Sequence, residues 1–168
     1  MTSIYLGLGG NLKSPGKMIR KALKAVACIP GVTLLKVSRF YQTSPVGDIN
    51  QSDFINAVCH LSTVLDPKIL MWELQKIEMD LGKVPKGKTA PRIIDIDLLF
   101  YGTLTYLDEE LEIPHPLWKK RLFVLVPLAE LTSHIKITSG FGCEDFVLND
   151  LIVSLVGSGQ DICVYGEA

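Results

Sequence analysis

The sequence predicts an α+β protein, a ferredoxin-like sandwich in which helices pack on the faces of an antiparallel sheet. Three observations lead to it. Segments of two-residue period and of helical period follow one another in the order strand, helix, strand, strand, helix, strand, which is the split βαβ arrangement. Both helical segments carry start and stop residues where a helix needs them. The 168 residues, 48% hydrophobic and 21% charged, suit one compact domain over 1–168, with 131–168 read as its C-terminal extension. Such a fold hosts many functions and decides none of them.

Ser3 to Gly9 reads as a short buried strand that ends in glycines. Ser14 and Pro15 then supply an N-cap and a favoured first helical residue. Met18, Ile19, Ala22, Leu23 and Val26 recur at helical spacing with Arg20, Lys21 and Lys24 opposite them, and Pro30-Gly31 ends this helix. Val32 to Tyr41 is the second strand and Phe54 to Leu65 the third, joined by a polar loop over 43–53. Asp66-Pro67 opens the second helix, which runs to about Leu81 and stops at Gly82. The fourth strand lies within 91–102, after a basic loop. Beyond Gly102 follow a hairpin-like stretch to Pro116, an apolar run from Phe123 to Leu131, and a glycine-rich tail with one helical pattern near Leu148 to Leu155, expected to pack on the sheet.

Composition excludes several classes. A net charge of −1 gives no global reason to bind nucleic acid or an anionic membrane. No apolar run approaches a membrane span, and the N-terminus lacks the cationic segment of a signal peptide. Cys28, Cys59, Cys143 and Cys163 show no paired spacing, which fits buried thiols in a reducing cytoplasm rather than a disulfide or zinc framework. The expectation is a cytoplasmic monomer.

The most informative segment is Pro91-Arg-Ile-Ile-Asp-Ile-Asp-Leu-Leu-Phe-Tyr-Gly102. Its apolar residues mark a buried strand, which Asp95 and Asp97 interrupt. Carboxylates two residues apart on a strand share a face, about 6.6–7 Å apart. Two like charges in apolar surroundings need a compensating cation, and hard oxygen ligands suit Mg²⁺. An exposed Asp-x-Asp would be an ordinary solvated face, but here the flanks are apolar and cations precede the pair. Lys83, Lys86, Lys88 and Arg92 place four cations within ten residues. Arg92 is expected at the strand mouth, free to turn toward an anion, and Lys119-Lys-Arg121 follows His115 as a second basic cluster. Carboxylates for a metal plus cations for residual phosphate charge are what phosphoryl transfer requires.

Other motifs fail. Gly7-Leu-Gly9 lacks the third glycine of a dinucleotide fingerprint, since Leu12 stands there; Gly16-Lys17 lacks the first glycine of a P-loop and the hydroxyl that follows its lysine. His60, His115 and His134 are too dispersed for zinc, and Cys59 and His60, adjacent on a strand, face opposite ways. Chemistry alone therefore reaches a Mg²⁺ and phosphate site. Phosphodiester hydrolysis and a non-catalytic ligand-binding module stay open beside phosphoryl transfer.

From Ile4 to about Leu131 the chain resembles the 6-hydroxymethyl-7,8-dihydropterin pyrophosphokinase family of folate biosynthesis. The resemblance rests on Leu8-Gly-Gly-Asn-Leu12, Arg39-Phe-Tyr-Gln-Thr-Ser-Pro45, Asp53-Phe-Ile-Asn-Ala57, Gln75-Lys-Ile-Glu78, the 91–102 block and Ile113-Pro-His-Pro116. It implies transfer of the β,γ-pyrophosphoryl unit of ATP to the pterin hydroxymethyl group, with release of AMP. It implies two Mg²⁺ ions on Asp95 and Asp97, with Asp95 also meeting the pterin hydroxyl. Arg92 and Arg121 join these two as catalytic residues. Gln75, Glu78, Lys83, Arg92, His115 and Arg121 are implied around ATP. Thr43, Ser44, Val46, Phe54, Asn56 and Phe123 are implied around the pterin, Asn56 reading its amide edge and the phenylalanines stacking on it. The chain departs from the family's common pattern at Lys83 (arginine), Thr89 (aromatic), Ala90 (glycine) and Pro116 (tyrosine), with milder changes at Ser44 and Phe54. Lysine lacks arginine's bidentate fork, so the loop over 83–90 is expected to seal the site less completely.

Overall fold

The computed structural model describes residues 1–45, 50–84 and 91–166. Val46 of the expected pterin site and Lys86, Lys88, Thr89 and Ala90 of the basic loop lie outside these residues. Five strands and two helices form the expected split βαβ core, β2 and β3 together taking the place of one expected strand: β1 (Thr2–Gly10), α1 (Pro15–Ala27), β2 (Val32–Val37), β3 (Tyr41–Thr43), β4 (Phe54–Thr63), α2 (Pro67–Asp80) and β5 (Asp95–Tyr101). β1 lies between β4 and β5 and is antiparallel to both, while β2 and β3 share the far edge of β4.

Strand alternation divides the sheet into two faces. Ile4, Leu6 and Leu8 of β1, with Ala57, Cys59 and Leu61 of β4, point into a core closed by Ile19, Ala22 and Val26 of α1 and Leu70 and Leu74 of α2. Tyr5, Gly7 and Gly9 point the other way. On that second face Val58, Leu99 and Phe100 pack with α3 (Leu122–Ala129) through Val124, Leu125 and Leu128. The fold is thus the α+β sandwich expected, with helices on both faces.

Two expected elements differ. The second strand breaks into β2 and β3 at Ser38–Phe40. The buried Ser38 hydroxyl accepts the Val58 N–H at 3.0 Å while the Ser38 N–H reaches the Val58 carbonyl at 2.9 Å, so one serine occupies both ladder groups of Val58. Ser14 does not cap α1 with its side chain: Lys13 and Ser14 both have positive φ, 52° and 59°. The chain enters the helix by a backbone turn instead, with Pro15 in its first turn. Asp66 does cap α2, accepting from the Lys68 N–H at 3.0 Å, and Gly82 at φ 97° ends it. The expectation of buried thiols holds for Cys59 alone; Cys28, Cys143 and Cys163 are exposed.

Beyond β5, β6 (Tyr106–Leu107) pairs with β7 (Glu112–Ile113) as the hairpin expected. The tail is more ordered than its glycines suggest. β8 (His134–Ser139) and β9 (Gly142–Val147) form a hairpin, α4 (Leu148–Ser154) follows and places Leu148 in the second core, and β10 (Ile162–Val164) adds an edge strand beside β3. No helix among the described residues is long and apolar enough to cross a membrane.

Candidate active site

On the second face, beside α3, opens a cavity of about 630 Å³. Its floor follows from register. Asn56, Gly9 and Asp95 are opposite one another on β4, β1 and β5, and Val58, Gly7 and Asp97 form the next row. Glycine stands in the middle of each row, with the Leu99 side chain packed beside Gly7 and the Gly9 row left open. At position 9 glycine is a steric necessity, because a Cβ there would come within 2.6 Å of Asn56 Oδ1. Asn56 is 6% exposed, and its Nδ2 donates to Thr43 Oγ1 at 2.9 Å. Thr43, Ser44, Phe54 and Asn56 line one end, Phe123 a side wall, and Arg92, Asp95, Asp97 and Arg121 the other end.

The acidic end is a balanced charge cluster. Arg92 precedes β5, as its expected place at the strand mouth requires, and its guanidinium pairs with Asp95 Oδ2. The Lys83 ammonium lies between two carboxylates, 2.8 Å from Glu78 Oε2 and 2.7 Å from Asp95 Oδ1. Asp95 Oδ1 is buried and receives no hydrogen bond of good geometry, so the lysine meets it as an ion pair. Glu78, on the inner side of α2, is 6% exposed and also accepts the Ile96 N–H at 2.6 Å. Burial raises its pKa, with Lys83 and Ile96 opposing. Burial alone would lower the Lys83 pKa, but Asp95 and Glu78 more than offset it and hold the ammonium protonated.

Asp97 lies deeper. Burial pushes its carboxyl up, against the pull of His115. His115 is pushed down, chiefly by burial, with Asp97 pulling the other way. Burial also lowers Arg121, which stays a cation because an arginine begins so high. His115 and Gln75 are not among the residues that line the cavity; Gln75 is exposed on α2, one turn before Glu78. Of the second basic cluster, Lys120 and Arg121 reach the cavity, whereas the Lys119 ammonium sits 3.7 Å from the Phe146 ring centroid.

The donor set fits Mg²⁺. That ion is commonly held by one or two carboxylates, with water and phosphate oxygens completing the octahedron. Asp95 and Asp97 share one face of β5, and one buried oxygen lacks a hydrogen bond. Among the described residues no three His, Cys, Asp or Glu side chains gather to form a protein cage. The arrangement therefore suits an ion that shares its shell with a ligand.

Sequence reasoning passed over Asn11. Its Oδ1 accepts the Arg92 N–H at 2.8 Å, while its Nδ2 donates to Gln51 Oε1 and the Ser52 carbonyl, both at 3.2 Å. Its own N–H donates to the Arg92 carbonyl at 2.9 Å. One buried amide thus fastens the Arg92 backbone to the loop beside the opposite wall. Gly10 allows this approach, since a Cβ there would lie 2.4 Å from the Ile93 carbonyl oxygen. A polar Asn directly after a strand that ends Gly-Gly was the available signal.

Fold and site together define an α+β enzyme of the phosphoryl-transfer class, with a cleft beside an acid–base cluster. The profile of the 7,8-dihydro-6-hydroxymethylpterin-pyrophosphokinase family matches residues 5–133, and the chain belongs to this family, as a pyrophosphokinase. Two relatives named 2-amino-4-hydroxy-6-hydroxymethyldihydropteridine pyrophosphokinase are similar over most of their length. That of Haemophilus influenzae is 38% identical over 80% of this chain and 84% of its own. That of Methylorubrum extorquens is 40% identical over 82% of this chain and 87% of its own. Among solved structures, HPPK-DHPS in complex with substrates aligns with a TM-score of 0.67 at 16% identity. The Plasmodium falciparum HPPK-DHPS with pteroate aligns at 0.70 and 15%. These alignments take in 94% and 93% of this chain but only 44% and 42% of those larger chains, and the likeness speaks for the fold.

Proposed function

We propose that this chain transfers the β,γ-pyrophosphoryl group of ATP to the hydroxymethyl oxygen of 6-hydroxymethyl-7,8-dihydropterin, releasing AMP, as a step of folate biosynthesis. The carrying observation is the row Asn56–Gly9–Asp95. It sets an amide able to read a heterocycle edge two strand spacings, about 9–10 Å, from a carboxylate flanked by cations. A bicyclic ring with a one-carbon arm spans that reach.

Each residue's task follows from its surroundings. Phe54 and Phe123 line the cavity where a flat ring would lie, and Thr43 fixes the Asn56 amide so that Oδ1 faces the floor. Thr43, Ser44 and Val46 complete the pterin end. Asp95 and Asp97 would hold two Mg²⁺ ions, which neutralise triphosphate charge and align nucleophile with leaving group when bound. Arg92, paired with Asp95, and Arg121, which feels the charge of Asp97, would take phosphate oxygens, with Lys83 and His115 supporting them. Lys83 donates to Glu78 and pairs with Asp95, and it turns to phosphate by rotating its stem. Glu78 orients Lys83 and the Ile96 amide rather than accepting a proton, because it is sealed behind β5. Gln75, one turn earlier, faces the nucleotide. The proposal includes one domain over 1–168 and a cytoplasmic monomer that takes these two small molecules, with neither nucleic acid nor membrane as a partner.

Purified protein with ATP, Mg²⁺ and the pterin is the test, with separation of AMP, ADP and pterin diphosphate. Equal AMP and pterin diphosphate, abolished by Asp97→Ala, is the expected result. ADP as the product would replace pyrophosphoryl by single-phosphoryl transfer, and phosphodiester cleavage without a pterin acceptor would overturn the reading.

A further inference from the structure

The tail beyond the family profile's limit at residue 133 returns to the cavity. α3 begins at Leu122, directly after Arg121, and carries Phe123 on its first turn, so its N-terminus aims both residues. The N-terminal amides of a helix need outside partners, and Arg121 in the cap position gives no side-chain hydrogen bond. Gln160 supplies one from 38 residues away: its Oε1 accepts the Leu122 N–H at 3.0 Å. Its Nε2 donates to the Lys120 carbonyl at 3.1 Å and to Ser158 Oγ at 3.2 Å. The one amide group thereby grips the backbone immediately before and after Arg121.

Gln160 is itself held in place. Two residues later β10 pairs with β3, and Ile162 stands opposite Thr43, the partner of Asn56. The segment 158–164 thus runs from the cationic end of the cavity to its Asn56 end. Ser158 and Gln160 line the main cavity, and the same segment walls a smaller one of about 190 Å³ against Ser44 and Phe123.

We propose that Gln160 is a positioning residue for Arg121 and Phe123, and that segment 158–164 is a strap forming part of the substrate-site wall. This rests on the pyrophosphoryl-transfer reading. Gln160 is half-buried at the surface, so its replacement leaves the core intact.

The test uses the full chain as wild type, Gln160→Ala and Gln160→Glu. Steady-state KM and kcat, melting temperature, and the substrate-free NMR signals of the Leu122 amide and the Arg121 guanidinium are all read. In Gln160→Ala, kcat/KM for the pterin is expected to fall about tenfold, equivalent to about 1.4 kcal/mol, as Arg121 and Phe123 lose their fixed placement. Most of the fall lies in KM, and the Arg121 signal shifts. Gln160→Glu keeps the acceptor for Leu122 but loses the donor to the Lys120 carbonyl, so it is expected to restore the Leu122 amide signal and recover only part of the loss. A lowered melting temperature with wild-type KM and an unmoved Arg121 signal would reduce Gln160 to a structural cap and overturn the proposal. The NMR arm needs no turnover. A shifted Arg121 signal beside an inactive wild type would keep the positioning role while sinking the pyrophosphoryl reading.

Discussion

Asn11→Ala tests how Arg92 is placed. Asn11 is 5% exposed, and its side chain makes three hydrogen bonds, one from the Arg92 N–H and two to the 51–52 segment. Removing it deletes all three and leaves the Arg92 amide without its side-chain acceptor. At a net contribution of about 1 kcal/mol for each bond, the loss is about 3 kcal/mol. For a domain of this size that lowers Tm by about 6–12 °C, readable by calorimetry. Arg92 would also lose register with Asp95, and a misplacement of about 1 Å costs on the order of a hundredfold in rate, so kcat/KM should fall by that order. Asn11→Asp, which keeps the acceptor for Arg92 but not the donor to the loop, should recover most of the rate and less of the stability. A Tm within about 1 °C of wild type would refute the hydrogen-bond accounting. A large Tm loss with unchanged kcat/KM would refute the link from Asn11 to Arg92's task.

Three further outcomes are expected. Gly9→Ala sets a methyl 2.6 Å from Asn56 Oδ1. KM for the pterin should rise about tenfold, the worth of one displaced hydrogen bond, with KM for ATP unchanged; a shift in both by steady-state kinetics would argue against an Asn56-specific effect. Thiol titration of the native protein near neutral pH should count Cys28, Cys143 and Cys163 and reach Cys59 only on unfolding, because burial pushes the Cys59 thiol up to about 12. Four fast thiols would contradict the packing around Cys59. Burial pushes Glu130 up, but bonds from Tyr41 and Arg39 outweigh this and hold it below the usual glutamate value. A depressed carboxylate stabilises the fold above the unfolded pKa, about 4.3, and loses that contribution as pH falls through the folded value. Glu130→Gln should therefore flatten the Tm–pH curve below that point, and parallel curves for the two proteins would refute it.

The elements whose signals are local were legible. The Asp66-Pro67 start and Gly82 stop of α2 sit where the sequence puts them, and the Asp-x-Asp alternation does bring both carboxylates to one face of β5. What stayed hidden depends on distant contacts. The break between β2 and β3 rests on Ser38 pairing with Val58, twenty residues away, and no propensity at 38–40 announces it. β10 is three residues long and exists because β3 presents an open edge. Asn11 and Gln160 look like ordinary loop polars until the chain is folded around Arg92 and Arg121. The roles proposed for Asn56 and Phe123 rest on the family resemblance, since no spacing links them along the chain.

The floor of the cleft has a consequence for inhibition. Where Gly9 crosses the centre of the sheet, a bound molecule would rest on the peptide planes of β1 rather than on a side chain. Main chain cannot be mutated away, and at position 9 any larger residue collides with Asn56. A blocker that draws its affinity from contact with this floor leaves the target little room to escape by single substitutions. One that leans on the walls at Ser44 or Phe123 meets side chains that can change, and resistance should arise there first.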